Sequence, residues 1–349
     1  MTPGYDAFLL VSFGGPEGPA DVIPFLENVT RGRRVPPGRL ALVAGHYDAV
    51  GGVSPINQQC RDLIGAIGKD FAAAGLNLPV YWGNRNWHPM LGDTVTAMAQ
   101  AGVTRAIAFV TSAYGSYSSC GQYLEDIDRA RAQAGPGAPV IDKIRHYFNH
   151  PGFIEPLAAN TRAALARLPG DVRDGAHLVF TAHSIPEAMA AVSGPPAATP
   201  RSPREGRYVT QLTEAARLVA ERVAGDHPWC LAYQSRSGPP SQPWLGPDVL
   251  DQLAGLAAGG APAAVLVPVG FVSDHMEVRH DLDLEARETA ERLGLPVERA
   301  ATPGTDPRFV SMITDLVRER LDGAAPAALG GMGPAAHTCP PGCCPWPPR

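Results

Sequence analysis

One histidine stands where a buried strand is predicted to end, and its side chain is of a type that binds metals and moves protons. His183 follows the apolar run at residues 178–182, and the chain then turns through Ser184 and Pro186. A neutral imidazole is a good ligand for divalent iron and accepts a proton near neutral pH. The pattern predicts a metal-binding or proton-accepting group, with a histidine that is merely hydrogen-bonded at a strand end as the alternative.

A second predicted strand end is followed by a row of carboxylates. The apolar run at residues 264–269 leads into a predicted helix that contains Glu277, Asp281 and Glu285. A spacing of four residues places these three side chains on one face of an α-helix. Because the row begins at a strand end, where a crevice is expected, it is suited to relay a cation or to remove protons. The alternative is a solvated acidic face with arginines nearby.

Arginine and aromatic residues cluster in two further segments. Residues 28–34 contain three arginines, among them Arg31, and His46 and Tyr47 follow; at another strand end Arg85 stands between two tryptophans. A guanidinium pairs with a carboxylate in a fork geometry that an ammonium cannot match. These segments are suited to bind a flat ligand that carries carboxylates, and exposed connecting loops are the alternative.

The cysteines are unevenly distributed. Cys339, Cys343 and Cys344 lie within the last eleven residues, whereas the other three of the six are scattered. In a chain of the cytosol, clustered cysteines indicate metal or cluster binding more than disulfides.

The elements that must position these groups alternate along the chain. Short apolar runs predict strands at residues 7–13, 80–84, 106–111, 140–144, 177–182, 230–234 and 264–269. Helical patterns lie at residues 21–27, 57–73, 91–100, 121–134, 156–167, 206–224, 247–254, 274–292 and 306–321. Continuous apolar strands that alternate with helices predict parallel sheets covered on both faces.

The number of elements favours an α/β protein with two Rossmann-like, doubly wound domains and a central cleft. We predict an N-terminal domain at residues 1–150, a C-terminal domain at 151–322, and a Gly/Pro-rich tail with clustered cysteines at 323–349. Ligands of such folds bind in the crevice at the carboxyl ends of the strands. Nearly all the polar motifs fall at those ends.

Composition excludes several classes of protein. Hydrophobic residues make up 45% of the 349, which is enough for a core and excludes a disordered chain. The net charge of -5 gives no general affinity for nucleic acid. The N-terminal apolar run is short and lacks a basic segment before it, so we read it as a strand rather than a signal peptide. Without a long apolar stretch, no integral membrane segment is expected, and the predicted compartment is the cytoplasm.

Seven motifs together resemble the ferrochelatase family. They are LLVSFGGPEGP at 9–19, GGVSPIN at 51–57, GNRNWHP at 83–89, TSAYGSYSSC at 111–120, FTAHSIP at 180–186, YQSRSGPPSQPWLGP at 233–247 and GFVSDHMEVRHDLDLE at 270–285. They occur in the family's order and span about residues 7–320. The pairing of FTAHSIP with SDHMEV and DLDLE is highly specific.

The resemblance implies a two-domain chelatase fold that inserts Fe2+ into a porphyrin held between the domains. It makes His183 and Glu277 the two iron-site and catalytic residues, with Asp281 and Glu285 as a relay. Positions that touch the macrocycle or its carboxylates in the bacterial enzymes correspond to Phe13, Arg31, His46, Tyr47, Ser54 and Tyr123, and Arg85 matches a basic position in the pocket. Phe13 stands where Tyr or Met is frequent and offers no oxygen ligand, and His46 stands where Arg can occur.

The tail resembles that of actinobacterial members, in which C-terminal cysteines and one internal cysteine bind a 2Fe–2S cluster. Cluster iron usually has four thiolate ligands. The resemblance implies Cys339, Cys343 and Cys344 as three of them, and Cys120 is the candidate for the fourth. His337 as a replacement ligand, and a zinc-binding or redox-inert tail, remain alternatives.

The same branch of the family is expected to use coproporphyrin III, which has four propionates, and to pass its iron product to a coproheme decarboxylase. A protoporphyrin IX ferrochelatase and a cobalt or nickel chelatase are the nearest alternatives. A non-catalytic two-lobed protein that binds a tetrapyrrole or a metal is the alternative from another class. Such a binding protein would not need a histidine and a glutamate that face each other.

Overall fold

Two parallel β-sheets of four strands each form the framework. A computed structural model describes residues 4–32, 37–49, 51–197, 199, 201–239 and 241–347. The first sheet has the order β2-β1-β3-β4 and the second the order β6-β5-β7-β8, so both halves repeat one arrangement. The strands are β1 (Ala7–Ser12), β2 (Val80–Asn84), β3 (Arg105–Val110), β4 (Val140–Lys143), β5 (His177–His183), β6 (Trp229–Gln234), β7 (Ala264–Val267) and β8 (Val297–Arg299). The predicted α/β architecture with two doubly wound units is confirmed.

Helices cover both faces of the sheets. They are α1 (Val22–Val29), α2 (Pro37–Asp48), α3 (Ile56–Ala73), α4 (Leu91–Gln100), α5 (Gln122–Ala134), α6 (Pro151–Arg167), α7 (Gly170–Arg173), α8 (Glu187–Ala191), α9 (Arg207–Ala220), α10 (Val249–Ala258), α11 (Met276–Val278), α12 (Arg287–Leu293) and α13 (Pro307–Leu321). Two segments, Tyr117–Gly121 and Arg279–Ala286, are π-helical, and Pro19–Asp21 and Pro203–Glu205 are short 3₁₀ turns.

The structure differs from the sequence-based elements in several respects. Strand β8 and helix α2 had not been predicted: β8 has only three residues, and α2 has no clean apolar face. The helix predicted from 156 begins at Pro151, where His150 Nδ1 accepts a hydrogen bond from the Gly152 amide at 3.0 Å. The helix predicted over 274–292 is present as an uninterrupted helical segment from Met276 to Leu293, but its middle part, Arg279–Ala286, is π-helical and not α-helical.

Strand register brings the chemically interesting ends together. Ser12 at the end of β1 pairs with Asn84 at the end of β2, and His183 at the end of β5 pairs with Gln234 at the end of β6. Every residue of β1 is buried. Parallel strands buried on both faces explain why these segments read as uninterrupted apolar runs.

The last helix joins the two halves. Ser311 and Thr314 of α13 donate hydrogen bonds to the Asp70 carboxylate on α3, and Phe309 packs edge-on against Phe109 of β3 with ring centroids 6.2 Å apart. Helix α13 therefore follows the second sheet in the chain but covers the first. The domain division at residues 150 and 322 stays a prediction.

A buried ion pair anchors the tail to this helix. Arg145 donates to both carboxylate oxygens of Glu319 at 2.7 Å, and the two side chains are 0% and 2% exposed. Arg145 also donates to the carbonyl of Ala327 at 2.8 Å, and the Asn149 side chain donates to the carbonyl of Leu329 at 3.1 Å. The Gly/Pro-rich segment, which was not expected to pack by itself, is thus held by buried polar groups of the body.

Among the helices that the structure describes, none combines the length and the apolar composition needed to cross a membrane.

Replacement of Glu319 by Gln is expected to lower the free energy of unfolding by about 3–5 kcal/mol, because Arg145 would then be a buried charge without a counter-ion. Urea denaturation followed by circular dichroism measures this change. The matched control is Glu298→Gln, which breaks the exposed pair with Arg167 and should cost at most about 1 kcal/mol. Equal costs for the two variants would contradict the anchoring role.

Candidate active site

His183 is held by its own backbone and by two neighbours. Its carbonyl oxygen accepts a hydrogen bond from the Tyr208 hydroxyl at 2.8 Å, and its Nδ1 lies against the carbonyl oxygen of Ser184. That carbonyl favours a proton on Nδ1, which leaves Nε2 as the atom that faces the partner residue. The side chain is 33% exposed, so it borders open space rather than the core.

Glu277 reaches His183 because the segment after β7 passes very close to β5. A Cβ atom on Gly270 would lie 2.7 Å from Ala182, so only glycine allows this approach. His275 then caps the turn, its Nδ1 accepting a hydrogen bond from the Glu277 amide at 3.2 Å. As a result Glu277 Oε1 lies 3.5 Å from His183 Nε2, and the Glu277 side chain is 43% exposed.

The two side chains set each other's protonation. Burial alone would lower the pKa of His183, but the charge and hydrogen bond of Glu277 raise it to about 9. Burial alone would raise the pKa of Glu277, but the charge of His183 lowers it to about 2. At neutral pH the metal-free pair is therefore an imidazolium facing a carboxylate.

The remaining carboxylates of the predicted ladder lie on a π-helix, not on an α-helical face. Asp281 accepts hydrogen bonds from the Ser235 hydroxyl and from Gln234 Nε2, and the same Nε2 donates to the Glu277 carbonyl at 3.1 Å. π-Helical turns are rare and are frequent at functional sites. Because a π-helical turn is wider than an α-helical turn, a histidine joins these carboxylates, and the four-residue spacing in the sequence had not indicated this histidine.

That histidine is His280, which is buried. Its Nδ1 lies 3.2 Å from Asp281 Oδ1 and 3.7 Å from Glu285 Oε2, so the three could offer one ligand atom each to a cation. The hydrogen bond of Asp281 raises the pKa of His280. Burial raises the pKa of Glu285, whereas the charge of His280 lowers it. The group thus continues the set of proton- and metal-binding side chains beyond Glu277.

Helices α1 and α2 of the first half cover this region with aromatic rings. The ring of Phe13, 36% exposed, lies 6.2 Å from that of Phe25, which in turn lies 5.9 Å from Tyr47. His46 stacks on His280 with ring centroids 4.1 Å apart and planes at 9°. Burial raises the pKa of Tyr47, and the Glu277 carboxylate adds to this. The structure therefore brings three of the predicted porphyrin contacts, Phe13, His46 and Tyr47, to the side of the iron-site candidates.

Ser54 and Arg31 lie at the edges of the same region. Ser54 is buried beside Gly15, where a Cβ atom would lie 2.7 Å from the serine Oγ. Arg31 is exposed just beyond α1, where it donates a hydrogen bond to the Asn28 side chain. Its companions Arg33 and Arg34 lie outside the described residues.

Arg85 and Tyr123 form a separate buried group. The Arg85 side chain is 6% exposed, its Nε lies 2.8 Å from Asp126 Oδ2, and its guanidinium stacks 4.5 Å from the Tyr123 ring. Arg85 Nη1 donates to the carbonyl of Ser118 at 3.4 Å. Since Asp126 already neutralises this cation, binding of a ligand carboxylate by Arg85 stays a prediction.

Two buried asparagines were not singled out from the sequence. Asn84 Nδ2 donates to Asn57 Oδ1 and to the carbonyl of His88, both at 3.1 Å, and Asn57 Nδ2 donates to the carbonyls of Gly15 and His88. Both asparagines are fully buried, so their amides hold the loops after β1 and β2 in place. In the sequence, the only indication of their role is that Asn57 lies in the motif GGVSPIN and Asn84 in the motif GNRNWHP.

The C-terminal cysteines lie against the turn that carries a fourth cysteine. Cys120 is in the π-helical turn Tyr117–Gly121, and a Cβ atom on the adjacent Gly121 would lie 2.8 Å from the Cys344 carbonyl oxygen. Cys343 Sγ lies 3.8 Å from Cys344 Sγ. Cys344 has a positive φ of 50°, and its thiol accepts from the Gly194 amide at 3.1 Å.

No three of these four thiols, all of which the structure describes, have their sulfur atoms within 4.8 Å of one another, so metal binding by this group stays a prediction. The left-handed backbone at Cys344 turns the chain, so that neighbouring residues present both thiols to one side. His337, the alternative ligand, lies elsewhere, with its Nε2 3.7 Å from Glu319 Oε2. The donor set is that of a 2Fe–2S cluster and equally that of a structural zinc site.

Comparison with known families decides where the chain belongs. The sequence model of the ferrochelatase family matches residues 5–321. The chain belongs to the ferrochelatase family. Relatives named coproporphyrin III ferrochelatase are 55% identical in Streptomyces coelicolor, covering 98% of this chain and 93% of that protein, and 55% identical in Nocardia farcinica, covering 97% and 96%. A ferrochelatase of Rhodopirellula baltica is 50% identical and covers 99% of this chain and 95% of that protein.

Solved structures share the fold at low sequence identity. SirB from Bacillus subtilis with Fe3+ is 12% identical, with a TM-score of 0.54 over 92% of this chain and 98% of that one. DR2241 from Deinococcus radiodurans, described as similar to chelatases, is 16% identical, with a TM-score of 0.52 over 91% of this chain and 56% of that one. These likenesses show a chelatase-like fold for this member of the ferrochelatase family.

NMR titration of the metal-free protein is expected to give His183 a pKa of about 9, and Glu277→Gln should lower this pKa markedly, because the charge and hydrogen bond of Glu277 are the largest influences that raise it. The Glu277–His183 attraction stabilises the fold fully between about pH 4.5 and 6.5; it is lost as the pH rises to about 9 or falls to about 2. Glu298→Gln, a carboxylate change elsewhere, is the control. An unchanged His183 pKa in Glu277→Gln would show that the pair is not formed.

Proposed function

We propose that this chain inserts Fe2+ into coproporphyrin III to give coproheme. The observation that carries the proposal is the exposed His183–Glu277 pair, with a second group of ligating side chains next to it and aromatic rings above it. Relatives at 52–55% identity whose names specify coproporphyrin III support the choice of porphyrin. Arg31, exposed just beyond α1, is a cation available to pair with a propionate.

The protonation of the pair determines the order of events. In the resting state the imidazolium of His183 can neither bind iron nor accept a proton. When Fe2+ meets the Glu277 carboxylate, its positive charge opposes the imidazolium, and His183 gives up its proton. His183, which has released its first proton to water, is then the base that takes a proton from one pyrrole nitrogen through Nε2 as the metal enters the ring, and the second pyrrole proton passes to water or to the carboxylates beside Glu277.

The second group has a supporting part in this proposal. Asp281, Glu285 and His280 form a set of weak ligands beside Glu277, so that Fe2+ exchanges water for protein ligands before it reaches the porphyrin. Gln234 Nε2 donates hydrogen bonds both to the Asp281 carboxylate and to the Glu277 carbonyl, which keeps Asp281 at a constant distance from Glu277.

Purified protein given Fe2+ without oxygen is expected to metallate coproporphyrin III at least about ten times more efficiently than protoporphyrin IX, measured as kcat/KM from visible absorption. His183→Ala should still bind the porphyrin, with metallation reduced about 100-fold or more by loss of the base. His177→Ala changes the same residue type at the other end of β5 and should keep full activity.

Two outcomes would contradict the proposal. A preference for protoporphyrin IX, or insertion of cobalt or nickel without iron, would overturn the assigned substrates. Iron insertion by His183→Ala at the unchanged rate would overturn the assigned site.

We further propose that Cys120, Cys339, Cys343 and Cys344 bind a 2Fe–2S cluster. The support is that Cys343 Sγ lies 3.8 Å from Cys344 Sγ and that the Cys344 backbone packs against Gly121, the neighbour of Cys120. When bound, such a cluster takes up one electron and cross-links the tail to the body. The ligating thiols connect the tail with the turn after β3.

Anaerobically purified protein is expected to contain about two iron and two sulfide per chain and to absorb visible light before any iron is added. Cys120→Ser should remove both signals, whereas Cys230→Ser, on strand β6, should keep them. One zinc per chain in place of iron and sulfide, or a normal cluster in Cys120→Ser, would contradict this ligand set.

The cytoplasmic location and the delivery of coproheme to a decarboxylase stay predictions.

A further inference from the structure

The iron ligand Glu277 lies on a segment that is not held by regular structure of its own. Strand β7 ends at Val267, the chain runs as a loop to His275, and a single helical turn then passes into the π-helix Arg279–Ala286. Side chains on loops are positioned less accurately than those on strands or long helices. A π-helix is also less favourable than an α-helix, so contacts from elsewhere must support it.

One arginine contacts this segment on both sides of Glu277. Arg299, on edge strand β8, places Nη1 3.0 Å from Asp274 Oδ1 and Nη2 3.0 Å from Asp283 Oδ2. Asp274 precedes Glu277 by three residues, and Asp283 lies within the π-helix six residues after it. A single guanidinium thus joins the loop before the ligand to the π-helix after it.

The contact is well placed to fix geometry. The Arg299 side chain is 16% exposed, and Asp283 accepts from both its Nε and Nη2, which is the bidentate arrangement that restrains orientation as well as distance. The β8 backbone is itself fixed in the sheet, because Leu266 pairs with Arg299. On the opposite side Gln234 of β6 holds the Glu277 carbonyl, so the segment is tied to two strands.

We propose that Arg299 is a positioning residue for iron: it holds the Glu277 segment and the π-helix in the relation that places Glu277 opposite His183. The inference rests on the proposed iron-insertion function. In this proposal Arg299 contacts neither iron nor porphyrin, and its replacement affects the binding of iron but not the binding of porphyrin.

Positioning and simple electrostatics make opposite predictions for two variants. Arg299→Ala adds net negative charge near the site, which by charge alone would strengthen binding of Fe2+. Asp283→Asn removes negative charge, which by charge alone would weaken it. Both variants break the same contact, so a positioning role predicts that both raise the KM for Fe2+.

The experiment measures KM for Fe2+, KM for coproporphyrin III and kcat for the wild type and four variants. Arg299→Ala and Asp283→Asn should each raise the KM for Fe2+ about 10-fold or more, as loss of residues that orient metal ligands usually does. The KM for coproporphyrin III should stay within about twofold, since the porphyrin contacts lie on other elements. Arg299→Lys should recover part of the iron affinity, because an ammonium can still pair with one carboxylate.

Arg105→Ala is the matched control. Arg105 likewise donates two hydrogen bonds to one aspartate, both to Asp142 Oδ2, but at the amino end of β3 in the first sheet. The Arg105→Ala substitution should lower the melting temperature without changing the KM for Fe2+.

The proposal would be overturned if folded Arg299→Ala kept the wild-type KM for Fe2+, or if Arg299→Ala and Asp283→Asn changed this KM in opposite directions. It would also be overturned if Arg105→Ala raised the KM for Fe2+ as much as Arg299→Ala does. If Arg299→Ala does not fold, Asp283→Asn and Arg299→Lys carry the test. If the wild type does not insert iron, the proposed function fails. The positioning role can then still be tested by titrating the wild type and the same variants with Co2+ and following visible absorption. Equal Co2+ affinities of the wild type and the Arg299 and Asp283 variants would overturn the positioning role.

Discussion

The arrangement of the whole site depends on the close approach of two strand ends in the second sheet. Because Gly270 has no side chain, the segment after β7 can pass Ala182 at contact distance, and Glu277 reaches the imidazole of His183. The resulting ion pair determines the protonation of both groups before any ligand arrives. The π-helix, its ties to β6 and β8, and the aromatic cover from α1 and α2 all serve to maintain or enclose this one contact.

Much of the polar sequence at the strand ends supports loops instead of contacting ligands. Asn57 and Asn84 satisfy buried carbonyls of the loops after β1 and β2, and Arg85 is neutralised by Asp126. Buried polar groups need partners, so a motif rich in amides and small residues is suited to hold an irregular loop at a constant position. The Arg145–Glu319 pair does the same for the tail, which in turn brings the C-terminal cysteines to Cys120.

The sequence was sufficient for the architecture and for the chemical types at the site. Apolar runs that alternate with helical patterns predicted the parallel sheets, and seven of the eight strands were found within a few residues. Strand β8 was missed because three half-buried residues give no period. The candidate pair His183 and Glu277 was identified because each follows a buried strand and each lies within a specific motif.

Residue types, the alternation of strands with helices, and family membership were therefore determined by the sequence, since they depend on local patterns and on motifs that are read one position at a time. Only the tertiary structure decided that the carboxylates lie on a π-helix with His280 among them, that Arg85 is already paired, and that Arg299 contacts both sides of Glu277. The physical reason is that these features depend on contacts between residues far apart in the chain. A helical period cannot reveal that distant groups, here Gln234 and Arg299, donate hydrogen bonds to the π-helix and to the turn before it.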